Sequence, residues 1–271
     1  MKKLQLYLGS GLVIIVVAVA LISLVWTPYD PIQAFPHSAL EGPSWEHLMG
    51  TDRYGRDILS RIMAGSQITL FVGFVAVTIG MLVGVPLGII AGMNRDSVIE
   101  QLIIRSADIL LAFPALLMAI IAGAMVGAST GSAMVAIGIA SIPAFIRVSR
   151  AGTLRVVTAP YMEAATLAGK GGVSKAVHHV LPNIAGLVIV QASIVFALAI
   201  LAEAALSFLG LGTPPPDPSW GRMLQGAQSF LSTQPLLVVW PGMAIALTVL
   251  GFNLLGDALR DILDPTTGAN R

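Results

Sequence analysis

The sequence predicts an all-α integral membrane protein with six transmembrane helices in a single domain covering residues 1–271. The chain is 56% hydrophobic and only 11% charged, whereas a soluble domain carries roughly 25% charged residues. Its mean hydropathy is +0.85. The apolar runs approach or exceed the ~20 residues that a helix needs to cross a bilayer core of about 30 Å. The polar segments between them are too short to bury a core of their own.

Six apolar runs are the predicted spans, at 4–26, 68–93, 102–126, 133–150, 182–209 and 236–255. The first run is predicted to be an uncleaved span, because it ends in Val25-Trp26-Thr27-Pro28 and not at a small-x-small cleavage site. The second run contains glycines every four to seven residues, which favours close approach of neighbouring helices.

The third predicted span carries an acidic residue, Asp108, near its start and Pro114 within it. We expect Asp108 to form a local pair with Arg105, close to the interface. The fourth run is expected to continue as helix past Arg147, Arg150 and Arg155. We expect these arginines among the lipid headgroups, and contact with a partner protein is the alternative.

The distribution of basic residues predicts that both termini are cytoplasmic. Membrane proteins place most of their lysines and arginines on the cytoplasmic side. With the N-terminus inside, six spans place eleven of the fifteen basic residues on inner segments (Lys2, Lys3, Arg95, Arg105, Arg147, Arg150, Arg155, Lys170, Lys175, Arg260, Arg271) and four outside (Arg53, Arg56, Arg61, Arg222). Segment 27–66 then lies outside, and the loop 156–181 lies in the cytoplasm.

The end of the outer segment, 47–70, alternates in charge at Asp52, Arg53, Arg56, Asp57 and Arg61. Such spacings allow local ion pairs on a helix. On physical grounds we expect an amphipathic helix lying at the membrane surface.

The cytoplasmic loop is predicted to form a helix–turn–helix that serves as a docking element. Pro160 suits a first helical turn, and Glu163 suits the positive end of the helix dipole. Gly169 permits the dihedral angles that end a helix. The segment 173–181 is expected to form a second short helix, with Pro182 opening the next long one.

This loop resembles the coupling motif of bacterial ABC-importer permeases, in the residues Glu163-Ala164-Ala165, Gly169 and Leu181-Pro182. His179 stands where the general motif has isoleucine, as in the peptide-importer branch. The resemblance implies a coupling helix that sits in a cleft of an ATPase subunit. An ordinary surface hairpin between two spans is the alternative.

Two further blocks resemble the permeases for dipeptides, oligopeptides and nickel. One is Gly50-Thr51-Asp52 with Gly55-Arg56-Asp57 and Ser60-Arg61, and the other runs from Glu203 to Gly221. The three blocks lie within 47–264. The resemblance implies a type I ABC importer permease bundle, of the MetI-like kind, that imports di- or oligopeptides by ATP-driven alternating access. Import of nickel or a metal chelate is the alternative.

The same resemblance implies the partners and the location. They are a second related permease, two cytoplasmic ATPase subunits and an extracytoplasmic binding protein, in a bacterial inner membrane. ATP and magnesium would bind the ATPase subunits, since this sequence has no GxxxxGKS/T loop. We expect no catalytic residue and no cofactor in this chain. A net charge of +1 provides no basic field for nucleic acid.

Glu203 is the one carboxylate deep in a predicted span. Burying a charge there costs at least ~2.5 kcal/mol, so the side chain should face the bundle interior or water. Glu203 and Ser207 are candidates for an outer gate or the translocation path. Packing against a partner chain is an equal alternative for Glu203. His178 and His179 point about 100° apart on a helix, and we expect no metal site.

Two rival classes are an intramembrane enzyme and an ion channel. An enzyme would require paired catalytic residues at one depth, and a channel would require a polar stripe along a span. The sequence shows neither pattern.

Overall fold

The computed structural model describes residues 2–263, and within that range the regular structure is helical. An isolated bridge joins Thr51 and Asp57. The predicted all-α class is therefore confirmed. The sequence also predicts a short charged tail helix with Asp257, Arg260, Asp261 and Asp264. The first three lie in the last long helix, and Asp264 lies outside the described residues. The helices are α1 (Lys2–Ser23), α2 (Ile58–Met93), α3 (Val98–Ala112), α4 (Ala115–Val126), α5 (Thr130–Val157), α6 (Pro160–Leu167), α7 (Gly172–Lys175), α8 (Leu181–Phe208), α9 (Trp220–Ala227) and α10 (Leu236–Leu263).

The centre of the bundle is the packing of α2 against α5, with α8 beside them. Glycines at intervals of four residues line the α5 side of α2. A Cβ atom on Gly84 would lie 2.6 Å from Cβ of Phe145, and one on Gly88 would lie 2.6 Å from the carbonyl oxygen of Ile146. The two backbones therefore approach more closely than larger residues would allow.

The first and last long helices pack against each other at the edge of the bundle. A Cβ atom on Gly9 of α1 would lie 2.7 Å from the backbone nitrogen of Leu255 in α10. In return, a Cβ atom on Gly251 would lie 2.9 Å from Cβ of Leu12. The N-terminal run is thus a packed member of the bundle.

The third predicted span is not one continuous helix. α3 and α4 are separated at Phe113 and Pro114, and their axes differ by 84°. Phe113 is extended, with φ −88° and ψ 124°, because a residue that precedes proline disfavours the helical region. Within residues 2–263, five helices are long and apolar enough to cross a membrane, and the count is six if the bent pair α3 and α4 is taken as one span.

The outer segment does not form the expected surface helix. Residues 47–57 form a compact loop, and α2 begins at Ile58, where Asp57 accepts a hydrogen bond from the backbone N–H of Ser60 at 2.8 Å. Gly55 has φ +74°, and a Cβ atom there would lie 1.8 Å from the carbonyl oxygen of Phe35. A helix cannot include such a turn, so the charged residues belong to a folded loop.

Candidate functional site

The predicted coupling loop contains a short helix with a well-formed C-terminal cap. α6 ends at Leu167, and Gly169 follows with φ +72°. The N–H of Lys170 donates to the carbonyl oxygen of Ala165 at 3.1 Å, and the N–H of Gly169 donates to that of Thr166 at 3.0 Å. These two bonds form a Schellman motif, which reverses the chain at a left-handed glycine.

One face of α6 packs inward and the other is exposed. Met162 and Ala165 are buried, and Met162 joins a core cluster with residues of α5 and α8. The other coupling candidates are exposed: Glu163, Ala164, Gly169, Leu181 and Pro182.

Two apolar side chains on either side of the Gly169 turn were not singled out from the sequence. Leu167 is 90% exposed and Val173 is 80% exposed. Isolated exposed apolar residues are common on protein surfaces. Here they flank the tip of a turn that no other segment of the described chain covers, since a Cβ atom on Gly169, Gly171 or Gly172 would meet nothing within 4 Å.

The second arm of the loop, residues 172–180, runs directly into α8. α7 continues through a π-helical turn, Ala176–Val180, and the whole stretch from Gly172 to Phe208 is helical over 37 residues. Lys170 Nζ lies 3.2 Å from His179 Nε2, and Lys175 Nζ donates to Thr166 Oγ1 at 3.2 Å. These contacts tie the tip of the loop and α6 to the second arm.

Two ion pairs join α3 to the C-terminal half of α5. Arg150 Nη2 lies 2.5 Å from Glu100 Oε1, and Arg147 Nη2 lies 2.7 Å from Asp108 Oδ1. Asp108 therefore pairs with an arginine 39 residues away, and the expected local pair with Arg105 is wrong. The sequence predicts Arg147 and Arg150 among the lipid headgroups. In the structure they contact acidic side chains of α3. Nothing in the sequence indicated which helix would lie opposite them.

Glu203 and Ser207 come together in a closed polar cluster at the C-terminal end of α8. Their exposed fractions are 1% and 0%. Ser207 Oγ donates to Glu203 Oε1 at 2.7 Å, and the backbone N–H of Thr213 donates to Ser207 Oγ at 3.0 Å. The other carboxyl oxygen, Oε2, is buried and has no hydrogen-bond partner among the described residues. The segment after α8 therefore folds back over the carboxyl group.

Trp220 and Gly221 hold this returning segment against two helices. Trp220 Nε1 donates to the carbonyl oxygen of Ile62 in α2 at 3.0 Å. A Cβ atom on Gly221 would lie 2.2 Å from the carbonyl oxygen of Ala204 in α8. The C-terminal end of α8 is thus joined to α2 and α9.

Comparison with known proteins gives consistent matches over most of the chain. The family model described as binding-protein-dependent transport system inner membrane component matches residues 84–268. The dipeptide transport system permease protein DppC of Alkalihalophilus pseudofirmus is 43% identical, over 94% of this chain and 84% of that protein. DppC of Escherichia coli is 41% identical over 95% and 87%. The glutathione transport system permease protein GsiD of Pectobacterium atrosepticum is 41% identical over 95% and 86%.

The fold is also similar to that of a solved structure. A chain from the inward-facing conformations of the MetNI methionine ABC transporter matches with a TM-score of 0.63 at 16% identity, over 75% of this chain and 96% of that one. This likeness supports the type I importer permease fold expected from the sequence. The family match over residues 84–268 and the relatives at 41–43% identity show that this multi-pass membrane chain belongs to the family of binding-protein-dependent transport system inner membrane components.

Proposed function

We propose that this chain is a permease subunit of an ABC importer that moves di- or oligopeptides inward across a bacterial inner membrane by ATP-driven alternating access. The observation that carries the proposal is the exposed coupling loop, whose two arms lead directly into two long helices of the bundle core. The names of the relatives, which include dipeptide and glutathione transport permeases, favour a peptide as the substrate.

The coupling loop is suited to passing motion into the membrane. α6 follows α5 after a link of two residues, Thr158 and Ala159, and the second arm is continuous with α8. A force on the exposed tip would therefore reach α5 and α8 together. Because α2 and α5 are in close backbone contact along their glycines, these helices would move as one unit.

The remaining parts of the machine belong to other chains. Two ATPase subunits would bind ATP and magnesium on the cytoplasmic side, where both termini of this chain would lie. A second related permease would complete the path through the membrane, and an extracytoplasmic binding protein would deliver the substrate. This chain would act mechanically and would hydrolyse nothing itself.

Glu203 and Ser207 would control the outer end of the path by holding the returning segment 209–219 against α8. Their enclosed position supports this role, because a buried carboxyl group with a hydroxyl partner fixes the segment that covers it. In this role Glu203 acts through packing and does not need to touch the substrate.

The test is reconstitution of the complete importer in proteoliposomes with each ligand offered to its binding protein. Dipeptide or oligopeptide uptake that requires ATP and the binding protein would support the proposal. Uptake of nickel or a nickel chelate in place of peptide would support the alternative substrate class. Uptake that persists without the ATPase subunits would contradict the coupling role of the loop.

A further inference from the structure

The folded outer loop and the start of α9 enclose a cleft that the proposed transport cycle has not used. Its volume is about 120 Å³. The wall residues come from segments 52–61, 215–217 and 222–227 and from Leu237 of α10. Its charged residues are four arginines and two aspartates, namely Arg53, Arg56, Arg61, Arg222, Asp52 and Asp217.

The loop that presents these arginines is rigid. His47 Nδ1 lies 2.9 Å from Asp57 Oδ1, and both residues are buried. Thr51 is 1% exposed, and its hydroxyl donates to the carbonyl oxygen of Ser38 at 2.5 Å. Gly50 and Gly55 make turns that their positive φ values and close backbone contacts reserve for glycine. A site built on such a frame needs little ordering when a ligand binds.

The cleft contains more arginines than aspartates, and the carboxylate of Asp52 lies close to two of these arginines. Asp52 Oδ2 lies 2.7 Å from Arg56 Nη2 and 3.7 Å from Arg61 Nε. Arg61 is only 3% exposed, and its Nη1 donates to the carbonyl oxygen of Pro31 at 2.6 Å. Asp52 and Asp217 both act on the Arg61 charge, and the remaining arginines of the cleft leave it with a net positive charge.

Arg53 and Arg56, two of the arginines in this cleft, both pack against the ring of Tyr54. The guanidinium carbons of Arg53 and Arg56 lie 4.7 and 4.6 Å from the centre of the Tyr54 ring, a contact that orients both side chains. On the opposite wall, Arg222 donates to the neutral side chain of Gln225. Arginine forks match a carboxylate in geometry as well as in charge.

We propose that this arginine cleft receives an acidic side chain of the extracytoplasmic binding protein when that protein docks on the importer. The inference rests on the proposed function and names where the partner is held. Two observations favour this occupant. The cleft lies in the segment that the distribution of basic residues places outside. Its four arginines outnumber its two aspartates, so the lining carries a net positive charge that complements an acidic side chain.

The experiment uses the complete importer in nanodiscs and measures the concentration of peptide-loaded binding protein that gives half-maximal stimulation of ATP hydrolysis. The test variant is Arg53→Glu, because Arg53 is exposed at the mouth of the cleft. The matched control is Arg95→Glu, which makes the same charge change on the cytoplasmic side, where the Arg95 side chain is 68% exposed. Arg222→Gln provides a second variant from the opposite wall.

We expect Arg53→Glu to raise the half-stimulating concentration by about tenfold, since a reversed charge at a docking contact opposes association. Arg222→Gln should raise it by a smaller factor, and Arg95→Glu should match the wild type. Added salt should raise the wild-type value more than that of Arg53→Glu.

Three outcomes would overturn the proposal. One is an unchanged half-stimulating concentration in both cleft variants. Another is an equal effect in Arg95→Glu. The third is a raised KM for peptide at saturating binding protein with no change in the half-stimulating concentration, which would assign the cleft to the carboxylate of the peptide. A wild-type complex that no binding protein stimulates would instead contradict the proposed function itself.

Discussion

Arg150 in α5 and Glu100 in α3 form a close ion pair, in which Nη2 and Nε of the arginine lie 2.5 and 2.6 Å from one carboxylate oxygen, Oε1. The other oxygen of Glu100 accepts the backbone N–H of Asp96 at 2.6 Å. Glu100 is 6% exposed. This pair holds α3 against the part of α5 that leads into the coupling loop.

Breaking this ion pair should lower the stability of the protein. Replacing Arg150 with glutamine leaves the buried Glu100 carboxylate with a weaker partner. Loss of a fully buried pair costs about 3–5 kcal/mol. Because the Arg150 side chain is 35% exposed, solvent screening should make the loss smaller than that, but larger than the loss from a fully exposed pair. The measurement is the free energy of unfolding in detergent micelles.

The neighbouring pair provides the control for that experiment. Arg147 and Asp108 are 57% and 52% exposed as side chains, so Arg147→Gln should cost about 0–1 kcal/mol. Equal losses from Arg147→Gln and Arg150→Gln would show that burial of Glu100 contributes nothing to the difference.

Gly169→Ala should weaken coupling through backbone strain alone. A Cβ atom at this position meets nothing within 4 Å, but φ is +72°, and the left-handed conformation costs a non-glycine residue about 1–2 kcal/mol. We expect the turn to rearrange and the ATP-driven uptake rate to fall several-fold, with normal membrane insertion.

Gly171→Ala is a matched control because the same methyl group is added two residues away. Its φ is −67°, and nothing lies within 4 Å of the added atom. Uptake in Gly171→Ala should equal that of the wild type. If both variants lose uptake equally, the effect comes from the added methyl group and the turn conformation is irrelevant.

Leu167→Glu should abolish coupling without disturbing the fold. The side chain is 90% exposed in this chain, so the substitution leaves the described core unchanged. If an ATPase subunit buries Leu167, a charge there would be desolvated and unpaired, which costs at least about 2 kcal/mol. The measurement is binding of the ATPase subunit, followed by substrate uptake.

Leu167→Met serves as its conservative partner, since it preserves an apolar side chain of similar size. It should support uptake at close to the wild-type rate. Normal ATPase binding in Leu167→Glu would mean that this side chain is not part of the docking surface.

Ser207→Ala should loosen the outer end of the bundle. It removes the donor to Glu203 Oε1 and the acceptor for the N–H of Thr213, and leaving buried polar groups unpaired costs about 1–3 kcal/mol. Faster hydrogen exchange across 209–219 would report the loss.

Ser193→Ala in the same helix is the comparison for that loss. Ser193 Oγ bonds only weakly, at 3.3 Å, to the carbonyl oxygen of Ile189, in an exposed position. Its removal should leave the exchange of 209–219 unchanged. An unchanged exchange rate in Ser207→Ala would argue against the closing role of the cluster.

Several features could be predicted from the sequence because their causes are local. The apolar runs follow from the cost of placing polar side chains in a bilayer. The end of α6 follows from Gly169, whose left-handed conformation needs no distant partner. The close contact of α2 with α5 follows from small residues repeated along one side of α2.

The effect of each proline on its helix could not be predicted from the local sequence. Pro86, Pro143 and Pro241 all lie inside continuous helices, whereas Pro114 separates two helices that meet at 84°. The residue before each of these four prolines is subject to the same steric restriction, which disfavours the helical conformation. Neighbouring helices decide whether the freed backbone groups are satisfied in place, and that is a tertiary property.

The sequence by itself determined the membrane-embedded helical class, the six apolar runs and the small-residue turn at 169–172. The tertiary structure alone decided which charges meet: Asp108 with Arg147, Glu100 with Arg150, and the outer loop with α9 around one cleft. The physical reason is the separation along the sequence over which each kind of interaction acts. Hydropathy and backbone dihedral preferences act within a few residues, whereas an ion pair depends on the packing of helices that are distant in sequence.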